Sequence, residues 1–210
     1  MQVDADNRER EISLGAGFGF TLPALRTPVG WAVRDRGSRL LHARYLDTTS
    51  GALHRQQFGL RHRGVDGETG TWTLKGPAER VDDADHRDEW EVEAADGSPP
   101  HLLIKHLPPG VDVGDLRTLV RLRTVRQTHD IVDGDGQRRI EMVDDLVEVL
   151  DRSGHVADHF RELEVEFHAP ADAAVAADIA AQLRAAGATL PPPVSKLARA
   201  LEVLRLDFPA

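Results

Sequence analysis

Ionisable residues recur at i, i+2 spacing in three separated stretches: Glu9 and Glu11, Arg61 and Arg63, and Glu162, Glu164 and Glu166. On a β-strand such residues share one face, because successive side chains alternate. The residues between or beside them, Ile12, Leu60, Leu163, Val165 and Phe167, are apolar. These strands are therefore expected to turn charge toward an enclosed side and apolar groups outward. Paired carboxylates suit hard divalent cations, since Mg²⁺ takes one or two carboxylates together with waters and substrate phosphates. The same acids would otherwise form an exposed strand edge paired to neighbouring arginines. A basic set, Arg61, Arg63, Lys75, Arg87, Arg121 and Arg123, is spread over four strands. Guanidinium forks match phosphate oxygens and lysine adds a compact charge, so convergence on one cavity would hold a chain of phosphoryl groups. On a solvated face the same residues would be cross-strand salt bridges. Glu141 and Asp145, four apart, also share a strand face and could extend a metal shell or fix an arginine.

The elements that must position these groups are mostly strands. Alternation and turn residues predict them at Arg8–Leu14, Leu40–Asp47, Gln57–Arg63, Thr71–Lys75, Arg87–Ala94, Leu119–Val132, Arg138–Leu150 and His159–His168. Turns are expected at Asp66-Gly67, at Asp133-Gly134-Asp135-Gly136 and at Ser153-Gly154. Pro23 and Pro28 bracket a turn with room for a short helix, and Thr48–Leu53 and Pro99–Leu107 are short helix candidates. The Ala-rich run from Ala171 to Ala186 reads as a helix ending at Gly187. After a Pro191–Pro193 break, Ser195 is placed to cap a last helix reaching about Leu206. Trp31, Trp72 and Trp90 are expected to pack on outer faces, and the ten histidines to decorate surfaces. The Gly15–Gly19 stretch lacks the Lys-Ser/Thr and helix start of a phosphate loop.

A polar interior with an apolar outside, walled by antiparallel strands, is the pattern of a closed barrel whose outer faces are covered by helices. The fold class expected is α+β: an eight-stranded antiparallel β-barrel with flanking helices, mainly C-terminal. The 210 residues are read as one domain, 1–210, with 40% hydrophobic and 29% charged residues, 18 Gly and 12 Pro. A net charge of −9 argues against a nucleic-acid binder, but an acidic exterior can still enclose a basic cavity. With no cysteine, disulfides, thiolate catalysis and cysteine-ligated metals are excluded, so any metal must take oxygen or histidine ligands. No apolar run of about 18 residues and no signal-peptide pattern is present, so no membrane association is expected and the cytoplasm is the expected compartment.

Read in order, the motifs closely resemble the CYTH domain of the triphosphate tunnel metalloenzymes over almost the whole chain. Glu9-Arg10-Glu11-Ile12-Ser13 is similar to that family's Glu-x-Glu-x-Lys signature, and Tyr45-Leu46-Asp47-Thr48 to its aromatic-x-Asp-Thr stretch. Leu60-Arg61-His62-Arg63, Thr73-Leu74-Lys75-Gly76 and Arg87-Asp88-Glu89-Trp90-Glu91 resemble its Leu-Arg-x-Arg, Thr-Leu-Lys and Arg-x-Glu strands. Glu141 to Asp145, Glu162-Leu163-Glu164-Val165-Glu166 and Ser195-Lys196 match its Glu-x-x-x-Asp, Glu-x-Glu and Ser-Lys pieces. Each is weak alone; eight in the correct order are specific.

The resemblance implies a tunnel that hydrolyses inorganic triphosphate or a related polyphosphate with Mg²⁺ or Mn²⁺. Under it, Arg61, Arg63, Lys75, Arg87, Arg121, Arg123 and Lys196 would clamp phosphate oxygens. One metal would sit on Glu162 and Glu164 with Asp145 nearby, and a second on Glu9 and Glu11 would activate water. Glu9, Glu11, Lys75 and Arg87 thus form the expected catalytic set. One departure stands out: Ser13 replaces the signature lysine. A hydroxyl can hydrogen-bond a phosphate but not neutralise it. The loss is worth on the order of 1.5–3 kcal/mol, about 10- to 150-fold. The alternative reading is therefore a non-catalytic polyphosphate-binding module. Adenylate cyclase and thiamine triphosphatase rank lower, since no dedicated base-binding set is recognisable. Family members are often fused to a CHAD domain associated with polyphosphate. Leu22-Pro23-Ala24-Leu25 and the ending after Phe208 are what the N-terminal half of such a fusion would show.

Overall fold

A computed structural model describes residues 8–65, 68–190 and 195–206. The expected Asp66-Gly67 turn, the Pro191–Pro193 break and the ending after Phe208 lie outside the described residues. Nine strands are present among the described residues: β1 (Arg8–Ala16), β2 (Ala32–Asp47), β3 (Gly59–Gly64), β4 (Thr71–Lys75), β5 (Glu79–Val81), β6 (Ala84–Glu93), β7 (Arg117–Val132), β8 (Arg138–Leu150) and β9 (Val156–Phe167). They run in the order β1-β9-β8-β7-β2-β3-β4-β6-β5, and an added β1–β6 pairing closes every strand but β5 into a barrel. All pairings are antiparallel. Closure leaves the barrel wall itself without a free edge.

Among the described residues four α-helices accompany the barrel: α1 (Ala52–Arg55), α2 (His101–Ile104), α3 (Ala173–Ala185) and α4 (Lys196–Val203). Helix α3 buries Ala176, Ile179, Ala180 and Leu183 against the outward residues Ile12, Leu14, Ile140, Met142, Leu163, Val165 and Phe167. Each such fully buried aliphatic or aromatic side chain contributes about 1.5–3 kcal/mol. A second outer cluster joins Leu53 of α1 and Leu103 of α2 to Leu46, Leu60, Trp72 and Leu74, with Trp90 packed against it. The tryptophans thus pack outside the barrel as expected, Trp31 lying against the α3 cluster.

The third cluster lies inside. Tyr45, Val120, Leu122, Val147, Val149 and Phe160 meet Leu197, Ala200 and Leu201 of α4. Tyr45 is the cross-strand partner of Arg61 and Val147 that of Phe160, so these apolar residues share the inward face with the charges. Helix α4 therefore enters one end of the barrel. Its start is fixed by Ser195, whose Oγ accepts from the Ala198 amide at 3.2 Å.

Four details differ from the sequence expectation. Strand β2 begins at Ala32 rather than Leu40, because its exposed first half is ordered by pairing with β7 and not by apolar alternation. A register shift between Asp35 and Ser38 includes Gly37 at φ 76°, where a left-handed backbone favours glycine. Strand β5, three exposed residues long, carries no alternation to read. No helix forms between Pro23 and Pro28. Among the histidines His62 is buried at 8% exposure, tilted on Trp72 with Nε2 3.2 Å from the Ala94 carbonyl oxygen. Gly70 makes that room, since a Cβ there would come within 2.5 Å of the His62 ring. No helix among the described residues is long and apolar enough to cross a membrane.

Candidate active site

Register fixes what faces the barrel interior. Glu9 stands opposite Arg87 and Glu11 opposite Asp85 across β1–β6, while Ser13 stands opposite Glu164 across β1–β9. Arg61 faces Thr73, and Lys75 faces Glu89. A cavity of about 690 Å³ opens between these walls, lined by Glu11, Ser13, Tyr45, Arg61, Lys75, Arg87, Glu162, Glu164 and Lys196 along its charged part.

The carboxylates divide into two kinds. Glu9 and Asp145 are locked by cations, and Glu164, which belongs to both kinds, also accepts from Arg126 at 3.1 Å and from Lys196. Glu9 accepts from Lys75 Nζ and Arg87 Nε, each at 2.5 Å. Burial alone would raise its carboxyl, but Lys75 and Arg87 hold it well below the usual range. Asp145 accepts both nitrogens of the Arg126 fork at 2.8 and 2.7 Å and Lys196 Nζ at 2.9 Å. The second kind converges: oxygens of Glu11, Glu162 and Glu164 lie within 4.8 Å of one another. Burial first, then the neighbouring Glu164 and Glu9 carboxylates, push the Glu11 carboxyl up to about 8. Burial likewise pushes Glu162 up to about 7. Glu164 is held low, because Lys196 and Arg126 outweigh its burial. Three mutually repelling oxygen donors fit a hard divalent cation. Of the acidic residues expected from sequence to bind two metals, Glu11, Glu162 and Glu164 converge, while Glu9 and Asp145 are ion-paired with lysine and arginine.

The cations show a matching imbalance. The Nε of Arg61 is buried and has no hydrogen-bond partner among the described residues. Its guanidinium, against burial that works the other way, keeps the Tyr45 hydroxyl below the usual phenol range. Arg63, one strand step beyond Arg61 and outside the cavity lining, is pushed down to about 10 by Arg61, then by burial and Arg126. Lys75 and Lys196 are both raised, each half-buried beside carboxylates whose attraction outweighs the desolvation. Lys196 reaches Glu164 as well as Asp145.

Two expected phosphate ligands are misplaced. Arg121 and Arg123 project from the outer face of β7; Arg123 Nε donates to Glu148 at 2.5 Å on that surface. The inward residues of β7 at this end include Val120, Leu122, Thr124 and Arg126. Sequence reading took the apolar set of β7 as outward, whereas α4 fills that end of the barrel with Val120 and Leu122. Arg126, which the sequence reading missed, could have been found by counting inward from Ile131 on the outer face toward a partner for Asp145. Ser13 points inward and donates to Glu11 Oε1 at 2.5 Å. Glu141 is held by Arg138 at 2.7 Å near the other end of the barrel. In the glycine stretch, the carbonyl oxygens of Gly17, Phe18 and Phe20 accept from Arg161, an arrangement opposite to an amide cradle for phosphate.

The sequence model of the family described as CYTH domain matches residues 20–201. HpAC1 from Hippeastrum, named as an adenylyl cyclase and described with a dominant triphosphatase activity, superposes with a TM-score of 0.62 at 20% identity, over 94% of this chain and 95% of that one. The PH1819 protein of Pyrococcus horikoshii OT3 superposes with a TM-score of 0.57 at 16% identity, over 92% and 98%. At these identities the likeness is one of fold. No curated protein matches the chain.

Proposed function

The chain belongs to the CYTH domain family, and on that premise we propose that it hydrolyses inorganic triphosphate, or a related polyphosphate, with Mg²⁺ or Mn²⁺ inside the barrel. The observation that carries this reading is a pair of like-charge clusters in one interior. Glu11, Glu162 and Glu164 crowd together, and Arg61 and Arg63 crowd beside Arg126. Arg126 and Lys196 offset part of this charge on Asp145 and Glu164; what repulsion is left would be relieved by a cation in the first cluster and by a polyanion in the second. A metal–triphosphate pair relieves both.

A divalent cation on Glu11, Glu162 and Glu164 would supply positive charge to phosphoryl oxygens and lower the pKa of water. Arg61, Lys75, Arg87 and Lys196 would bind the remaining oxygens, with Arg63 and Arg126 behind them, and stabilise charge in a loose transition state. Glu9 is a positioning residue, aiming Lys75 and Arg87 through its two 2.5 Å hydrogen bonds. Water attacks the terminal phosphorus, the bond to the bridging oxygen breaks, diphosphate leaves and a proton passes to solvent.

Ser13 favours the second reading, a polyphosphate-binding module without turnover. Against it, the converging carboxylates Glu11, Glu162 and Glu164 line the same cavity, an arrangement that holding a polyanion alone would not call for. Ser13→Lys separates the two. A weakened enzyme is expected to gain phosphate release from triphosphate by about tenfold or more. Tighter triphosphate binding with no release in either protein would establish the binding module instead.

A further inference from the structure

We propose that the open edge of β9, beside the last residues of β1, docks an extended peptide of a partner protein and selects an acidic residue followed directly by an apolar one. Strand β9 pairs with β8 from Val156 to Phe167, but with β1 only as far as Ala16, which stands opposite Arg161. From Phe160 back to Val156 no strand among the described residues lies on the β1 side. Such an open edge is a template for pairing with another chain. A second cavity, of about 400 Å³, lies at the end of the lane that β1 leaves, lined by Gly17, Phe18, His159, Phe160, Leu190 and Arg199 among others.

Register decides what the lane offers. The Gly15 amide donates to the Thr189 carbonyl at 2.9 Å and the Thr189 amide to the Gly15 carbonyl at 2.8 Å, on the side of β1 away from β9. In an antiparallel ladder alternate residues exchange both bonds. Leu14 and Ala16 therefore bond to β9, through their partners Leu163 and Arg161. His159, two residues before Arg161, turns its own amide and carbonyl to that same side, where β1 has ended. A residue placed opposite His159 would exchange two hydrogen bonds with it, the main-chain contact by which added strands bind.

The two faces of the lane differ in chemistry. Phe160 faces the barrel interior, and the Arg199 guanidinium lies over its ring, 4.1 Å from the centroid. Arg199 makes no ion pair among the described residues, and Glu162 feels its charge only at a distance. A residue opposite Phe160 shares that face, so a carboxylate on it meets a cation without a partner of its own. The next residue, opposite His159, turns outward with the His159 side chain. There the Phe18 ring, 57% exposed, lies tilted on His159 with 4.7 Å between centroids, and an apolar side chain packs against it. A chain antiparallel to β9 runs in the direction of β1, so the order is acidic, then apolar. A polyphosphate fits the lane poorly, because the other arginine of the lining, Arg161, is spent on Asp144 and on the carbonyl oxygens of Gly17, Phe18 and Phe20. Leu190 lines this cavity and the charged one alike, so a chain docked here lies against the wall they share.

The test is an NMR titration of the isotope-labelled full chain with the blocked peptide acetyl-Glu-Leu-Thr-Val-amide. Saturable binding that shifts the His159 amide and the Arg199 side-chain signals is the expected result. Three changes are each expected to weaken it by about tenfold or more. They are the reversed order acetyl-Leu-Glu-Thr-Val-amide, N-methylation of the leucine amide, which removes the donor to the His159 carbonyl, and Arg199→Gln. The two peptide changes leave the protein untouched, so they decide the matter even where a variant folds poorly. No saturable binding, shifts that spare His159, or equal affinity for the reversed or the N-methylated peptide would overturn the proposal. Equal binding of N-acetylglutamate amide would reduce the site to an anion contact on Arg199 and overturn it as well. None of these outcomes depends on phosphate release.

Discussion

Glu11→Gln is expected to lower phosphate release from triphosphate by roughly 10³-fold, about 4 kcal/mol of transition-state stabilisation, while making the metal-free protein more stable. The loss follows from removing one of three carboxylates that converge within 4.8 Å. The gain follows from the cost of ionising Glu11 in place. Its carboxyl is pushed from an ordinary 4.5 up to about 8 by burial and by Glu164 and Glu9. A carboxyl raised in the folded state costs stability as pH rises above the unfolded value, and the cost is complete once pH passes the folded one. Gln carries no such charge and still accepts from Ser13. Thermal melts without metal should therefore show the variant higher at pH 8, by roughly 3 °C for about 1 kcal/mol, and equal to the parent near pH 4.5. Unchanged turnover would remove Glu11 from the metal trio.

Glu9→Gln is expected to act in the opposite sense on stability, although the two residues are neighbours on one face of β1. Glu9 is 7% exposed and bonds two cations. Breaking a buried ion pair from one side leaves the other charges uncompensated and costs about 3 kcal/mol, roughly 10 °C in melting temperature. Because the Glu9 carboxyl is depressed from an ordinary 4.5, its stabilisation is present above that value and is lost as pH falls further. The gap between parent and variant should be full at pH 7 and narrow in acid. Turnover should fall too, since Lys75 and Arg87 lose their common anchor. A variant that melts with the parent at pH 7 would show that Glu9 is not the anchor.

Most of the barrel was legible because its wall obeys a period of two. Glu9, Glu11, Glu162, Glu164 and Glu166 alternate with Ile12, Leu163 and Val165, and the structure turns the two sets to opposite sides. The pattern fails where inside and outside exchange character. At the end entered by α4 the interior is apolar, so Val120 and Leu122 face in while Arg121 and Arg123 face out. Nothing local in β7 signals this; it depends on a helix some 75 residues later in the chain. Pairing choices were hidden for a similar reason. Composition alone does not tell that Glu9 takes Lys75 and Arg87 while Glu11 joins Glu162 and Glu164, because those partners come from β4, β6 and β9.

The most direct measurement is phosphate release from inorganic triphosphate as Mn²⁺ is titrated into the chelated protein, with Glu11→Gln alongside. The expected result is no release with chelator, release that saturates as the metal is added, and a nearly flat trace for the variant. Release that ignores the chelator, or none at any metal concentration despite bound triphosphate, would contradict a metal-dependent hydrolase in this barrel.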